Sequence, residues 1–271
     1  MNVPAGARVV DDPGELHAYF SDLPAAHIYA IADLEEPFWS ESAWYRRGDA
    51  VVGVVALPED DLAVYAVSTR DPTGCLELVA DLLPTLPPGQ LITGPIGLGA
   101  VVRAQREVAW SGRHVRYRLT SLATVDTGAV EPLGPGHVDE LLDLYDTEPG
   151  AAFFLAHMLR DETFVGVRDG GRLIAAAGTH VLAPSRGVAA IGSVYTHPDH
   201  RGRGLAKATT AAAVARVGDR AAVIGLNVAA ENGPARRAYE SLGFVPVLEY
   251  DEAQIADPSA PPDPPGGVTA V

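Results

Sequence analysis

Apolar residues along this chain recur in two rhythms, one of three to four residues and one of short continuous runs. Between Val9 and Tyr45 they fall at Leu16, Tyr19, Phe20 and Leu23, then at Ile28, Ile31 and Leu34, which predicts helix. Acids and aromatics mix in Asp33-Leu34-Glu35-Glu36-Pro37-Phe38-Trp39. Residues 44–57 predict two strands about an Arg47-Gly48-Asp49 turn. A strand over 62–68 leads through Asp71-Pro72-Thr73-Gly74 into a helix over 75–83. Strand 90–94, helix 99–109 and strand 115–121 follow.

Turn formers over 123–136 interrupt the pattern, and a domain boundary is expected there. An amphipathic helix over 137–145 ends at Glu148-Pro149-Gly150. Phe153, Phe154, Met158 and Leu159 then form an apolar helical stripe, and strands 164–167 and 173–182 make a hairpin across Asp169-Gly170-Gly171. Next come strand 189–196, a glycine-rich turn, helix 205–217, strand 221–228, helix 232–242 and strand 244–250. The order from 62 to 121 parallels that from 189 to 250, so the N-terminal half reads as a degenerate copy of the C-terminal half. The expected layout is an N-terminal domain over 1–122, a linker over 123–136, a second domain over 137–252 and a disordered proline-rich tail over 253–271.

A chain of 271 residues with 47% hydrophobic and 20% charged residues can build a full core. Its net charge of −15 argues against nucleic-acid backbones and anionic membranes as partners. A single cysteine, Cys75, leaves no disulfide framework and no cysteine-based zinc site, and no metal is expected. No signal peptide and no apolar run of about 20 residues is evident, so a cytoplasmic protein is the expectation. The pattern assigns no oligomeric state.

The chemistry concentrates at 191–244. Strand, glycine turn and helix start follow one another, and Arg201, Gly202, Arg203 and Gly204 lead into Leu205, Ala206 and Lys207. The first N–H groups of a helix lack intrahelical partners and sit at the positive end of its dipole, and glycines let backbone curl around an anion. Arg201, Arg203 and Lys207, the only lysine, add charge at that place. The turn predicts a phosphate cradle. It lacks the Walker Gly-Lys-Ser/Thr and the third glycine of a dinucleotide fingerprint.

Arg201, Gly204 and Ala206 instead match the Arg/Gln-x-x-Gly-x-Gly/Ala loop of the GNAT superfamily of N-acetyltransferases. Downstream, Asn232-x-x-Ala235-x-x-x-Tyr239-x-x-x-Gly243-Phe244 is similar to that family's closing motif. The stretch Ile191 to Thr196 looks closest to the branch of glycine N-acyltransferase-like proteins. The resemblance covers residues 125–250, just under half the chain. It implies a tandem α/β fold with a mixed sheet, acetyl-CoA as cosubstrate and acyl transfer to a primary amine of a small molecule or peptide in a ternary complex. The alternatives are a longer acyl-CoA or an amino-acid acceptor, and a non-catalytic acyl-CoA sensor.

The same resemblance distributes roles. Splayed strands would expose the edge of Val194, Tyr195 and Thr196 to pantetheine, with a backbone N–H near Val194 facing the acyl carbonyl. Tyr239 would protonate the leaving thiolate or hydrogen-bond the sulfur, beside its plain role in packing. Asn232 would cap its helix and contact the pantetheine arm. Strand 189–196 offers no carboxylate as general base. His180 is the titratable candidate, with a structural hydrogen-bonded histidine as the equal alternative, and a water chain to Glu148 is a further route. His197 and His200 lie beside the loop. Asp33, Glu35, Glu36, Trp39 and Phe153 are the speculative acceptor lining.

Overall fold

The computed structural model describes residues 3–56 and 62–259. The described residues of 3–115 and 248–259 form one compact unit, and 116–247 form the other.

The N-terminal unit opens with β1 (Arg8–Val10), α1 (Pro13–Phe20), α2 (Ile28–Ala32) and α3 (Phe38–Glu41). The helical rhythm from Val9 thus breaks into a short strand and three short helices. Asp12 sets the first break: its carboxylate accepts from Gly14 N at 2.8 Å, with Pro13 at the first helical position. Then come β2 (Ala43–Arg47), β3 (Ala50–Ala56), β4 (Leu62–Tyr65), α4 (Pro72–Leu82), β5 (Leu91–Gly94), α5 (Leu98–Arg103) and the start of β6 (Val108–Leu119). Neighbours from β1 to β4 pair antiparallel, while β4 and β5 pair parallel across the α4 crossover. Val64, Leu78, Val79, Leu82 and Ile92 centre the core. The helix expected over 99–109 stops at Arg103. Arg106 donates to the carbonyls of Leu83 and Leu86, and Trp110 donates to Gln254 at 2.7 Å, so the chain from Val108 is already strand.

The C-terminal unit holds the end of β6, then β7 (Glu131–Pro132), α6 (Val138–Tyr145), β8 (Val165–Asp169), β9 (Arg172–Ala183), β10 (Val188–Thr196), α7 (Leu205–Val217), β11 (Val223–Ala229), α8 (Gly233–Ser241) and the start of β12 (Phe244–Ile255). Its strands run β12-β6-β11-β10-β9-β8-β7. The pair β10–β11 is parallel across α7, and β10–β9, β9–β8 and β8–β7 are antiparallel. Apolar side chains of α6 and β9 meet Phe164 and Tyr195 in its core.

Three expectations are corrected here. The stripe from Phe153 is not an α-helix: 151–155 is irregular and 156–161 is 3-10, because Phe153 and Phe154 turn separately to His180 and to Tyr145 and Phe164. The stretch 123–136 is not a free linker, since Ala123 N bonds to Leu242 O, Leu133 N bonds to Phe164 O and Leu133 is buried. The change of unit falls instead at 115/116 and 247/248. The tail does not begin at 253, because Ala253 and Ile255 are buried in the N-terminal core and β12 pairs with β5 from Asp251 to Gln254. Leu57 and residues 260–271, where a strand end and the disordered tail were expected, lie outside the described residues.

Candidate active site

The ladder between β10 and β11 runs from Val188–Val223 to Ile191–Leu226 and ends there, although both strands continue. Past Ile191 the β11-facing edge of β10 is open. That edge includes Val194, Tyr195 and Thr196, and it leads directly into the glycine turn.

The turn begins with a 3-10 segment, Pro198–His200, and ends at Gly204 with φ +79°. A side chain there would be strained by the backbone alone. A Cβ at Gly204 would meet no atom within 4 Å, so the space above the helix start is free. Helix α7 has no side-chain cap, and its first turn closes when Lys207 N and Ala208 N reach Gly204 O at 3.1 Å. The N–H groups of Leu205 and Ala206 precede that closure, so the positive end of the helix faces open space.

Side chains around the turn are held by acids. Arg201 pairs with the carboxylate of Glu148, donates to Thr196 O at 3.2 Å and lies 5.8 Å from the Tyr195 ring. Arg203 contacts His200 Nδ1 at 2.7 Å, and both approach Asp169, at 3.6 and 3.7 Å. The His197 ring stands edge-on to His200. Tyr195 Oη meets Thr147 Oγ1 at 2.8 Å and donates to Glu148 at 3.3 Å, so strand edge, cradle and the end of α6 share one polar cluster.

On α8, Asn232 Oδ1 accepts from Ala235 N at 3.1 Å and caps the helix. Glu240 and Arg236 on the same helix bond the hydroxyl of Tyr117 on β6, at 2.9 and 3.0 Å. Between them Tyr239 is buried, edge-on to Phe244 at 6.1 Å. Burial pushes its phenol up to about 12. Among the described residues its hydroxyl has no hydrogen-bond partner, which leaves a protonated donor to spare.

His180 sits differently from a free base. Its Nε2 lies 3.0 Å from Ser193 N, whose N–H can only donate, and 3.3 Å from Phe153 O; with the proton on Nδ1 the ring is neutral and Nε2 accepts from Ser193. Burial holds the imidazole down to about 4. A Cβ at residue 192 would lie 2.2 Å from the ring, which is why glycine stands there. Tyr145 donates to Ser193 O at 2.9 Å, and Ser193 Oγ donates to Phe153 O at 2.6 Å. Tyr145, Thr147 and Ser193 escape a reading of the sequence. The one local signal is Gly192, an isolated glycine in a strand, which marks a bulge.

Of the speculative acceptor lining, Phe153 belongs to this site, its ring edge-on to His180 at 5.6 Å. Asp33, Glu35, Glu36 and Trp39 belong to the N-terminal unit, where burial pushes the partly exposed Asp33 carboxyl up to about 7 and Glu36 accepts from Ser40 N. Among the described residues no group of three or more His, Cys, Asp and Glu could hold a metal ion, and no helix is long and apolar enough to cross a membrane.

Residues 132–244 match the acetyltransferase (GNAT) family. A protein from Novosphingobium aromaticivorans, assigned to the acetyltransferases of that family, is 27% identical over 67% of this chain and 81% of its own, with a TM-score of 0.54. A GCN5-related N-acetyltransferase from Kribbella flavida aligns over 87% of this chain and 96% of its own, at 18% identity and a TM-score of 0.56. A Drosophila protein aligns over 93% and 98%, at 14% identity and a TM-score of 0.67. The last two likenesses speak for the fold alone. No curated protein matches the sequence. The chain therefore carries a GNAT acetyltransferase domain on a mixed α/β fold, and the protein is an acyltransferase.

Proposed function

We propose that the C-terminal unit binds acetyl-CoA and transfers its acetyl group to a primary amine in a ternary complex. The observation that carries this is the open edge of β10 past Ile191, running straight into the uncapped start of α7. A linear ligand with a pyrophosphate at one end and an amide-rich arm at the other suits both features at once. The phosphates sit against the N–H groups of Gly202 to Ala206 with Arg201, Arg203 and Lys207 around them. The arm adds to Val194–Thr196 as a short extra strand, and Asn232 lies at the start of α8 to meet it.

The amine attacks the thioester carbonyl, a C–N bond forms, and charge collects on the carbonyl oxygen, which a backbone N–H near Val194 stabilises. Glu148, joined to β10 through the Tyr195 hydroxyl, takes the amine's proton through a water chain. As the C–S bond breaks, Tyr239 supplies a proton to the thiolate. The acceptor is a small molecule or a peptide end, with Phe153 lining its approach. The compartment in this reading is the cytoplasm.

The test is thiol release from acetyl-CoA across a panel of primary amines, polyamines and amino acids. Amine-dependent release supports the proposal. Release with amino acids alone, or only from a longer acyl-CoA, moves the reading to the glycine N-acyltransferase-like branch. Tight acetyl-CoA binding with no release from any member overturns transfer in favour of a sensor.

A further inference from the structure

The strands β9 and β10 carry two bulges of opposite sense, separated by two residue pairs. Between Ala190 and Ile191 the extra residue is on β9, and it is His180; between Gly192 and Tyr195 it is on β10, at Ser193–Val194. Ser193 has φ +52°, a conformation that a residue with a side chain keeps only where its surroundings hold it. It is 3% exposed, and each of its polar groups is engaged. The N–H goes to His180 Nε2, the carbonyl takes the Tyr145 hydroxyl, and its own hydroxyl goes to Phe153 O.

We propose that His180 and Tyr145 are positioning residues for acyl transfer. They clamp Ser193 in its left-handed turn and so aim the backbone from Val194 to Thr196, while the Ser193 hydroxyl ties the acceptor-side segment 151–155 to the same clamp. A general base needs a lone pair open to the amine, and His180 Nε2 is already enclosed between Ser193 N, at 3.0 Å, and Phe153 O, at 3.3 Å. If the clamp lets go, the bulge can relax towards a regular strand. A one-residue change of register would then turn the edge groups to the other face, and donors that are no longer preorganised stabilise an oxyanion poorly. Ground-state binding of CoA, which rests on the glycine turn as well as on this edge, weakens less. This inference rests on the acyl-transfer reading above.

The test compares three variants of the full chain: His180→Gln, which keeps an acceptor, His180→Leu, which removes it, and Tyr145→Phe, which removes the donor on the other side. His180→Leu and Tyr145→Phe should each lower kcat at least about tenfold, with a smaller rise in KM for acetyl-CoA. His180→Gln should keep kcat within about fivefold. The double variant should be no worse than the poorer single, since both act on one element. Amide hydrogen exchange of the peptide spanning 191–196 should rise at least about tenfold in His180→Leu and Tyr145→Phe and stay low in His180→Gln.

Loss of activity in His180→Gln with exchange still slow would make His180 a base and overturn the proposal. So would independent, multiplicative losses in the double variant, or unchanged kcat and exchange in Tyr145→Phe. Tyr145→Phe keeps the test readable if His180→Leu fails to fold. If the wild type releases no thiol, the acyl-transfer reading fails, and exchange in the same variants still decides whether the clamp exists.

Discussion

Helices α4 and α7 are the crossovers of the parallel pairs β4–β5 and β10–β11, yet they begin in opposite ways. At α4 the first turn is closed by its own chain: Asp71 Oδ1 accepts from Gly74 N at 2.9 Å. Arg70 beside it is paired with Asp22 and lies 4.4 Å from the Tyr19 ring. At α7 no side chain caps the helix, and Gly202 and Gly204 leave open space. The strands differ likewise. The β4–β5 ladder continues to Tyr65–Thr93, with a further bond from Ala66 N to Thr93 O at 2.8 Å, while the β10–β11 ladder stops at Ile191–Leu226. The same crossover is therefore a packing element at α4 and, in the function proposed above, an anion site at α7. The difference is whether a carboxylate already neutralises the positive end of the helix.

The sharpest way to break this comparison is Gly204→Val. It combines a strained φ with a branched side chain where phosphate would sit, so CoA-induced thermal stabilisation should vanish, an affinity loss of at least about 100-fold. Wild-type binding by that variant would mean that the two helix starts do not differ in function.

Tyr239→Phe asks whether the open crossover does chemistry. The ring contact with Phe244 survives, so melting temperature and CoA affinity should hold, while kcat falls by about 100-fold. Because burial raises the phenol to about 12, its acid form persists across the neutral range. The wild-type rate should therefore show no alkaline decline owed to Tyr239 below about pH 11. An unchanged kcat in the Phe variant would remove Tyr239 from the proton path.

Asp71→Ala opens the other helix. Loss of the cap should cost about 1 kcal/mol of stability, read from chemical denaturation, with no change in CoA binding. A second equivalent of CoA in a titration of this variant would show that the cap alone separates the two crossovers. The smallest effect on CoA binding belongs to Glu148→Gln, although its kcat should fall by about 100-fold as the proposed base is lost. Releasing Arg201 from an exposed ion pair should tighten CoA binding by no more than about fivefold. Weaker CoA binding would instead mean that Glu148 holds Arg201 in its working position.

Much of this was legible along the chain. Glycines at 202 and 204 between a β-branched run and an alanine-rich run mark a strand, a turn and a helix start. Asn232 three residues before Ala235 marks a cap, and Tyr239 falls at the matching position of a recognised motif. Each is a relation within a few residues, where propensity and capping operate. The extents of β6 and β12 were not legible, because each is as long as its partner allows. Trp110 finds Gln254 across 144 residues.

Sequence alone thus determined the order of elements, the glycine turn ahead of α7 and the absence of a carboxylate on β10. Tertiary structure decided what His180 does. Nothing near His180 in the chain shows that it occupies a bulge, that a second bulge faces it, or that Tyr145 reaches Ser193 from 48 residues away. A histidine's lone pair is available or spent according to the donor that meets it, and that donor is brought by strand register. Register is a property of paired strands and of the core they bury, and no single strand carries it.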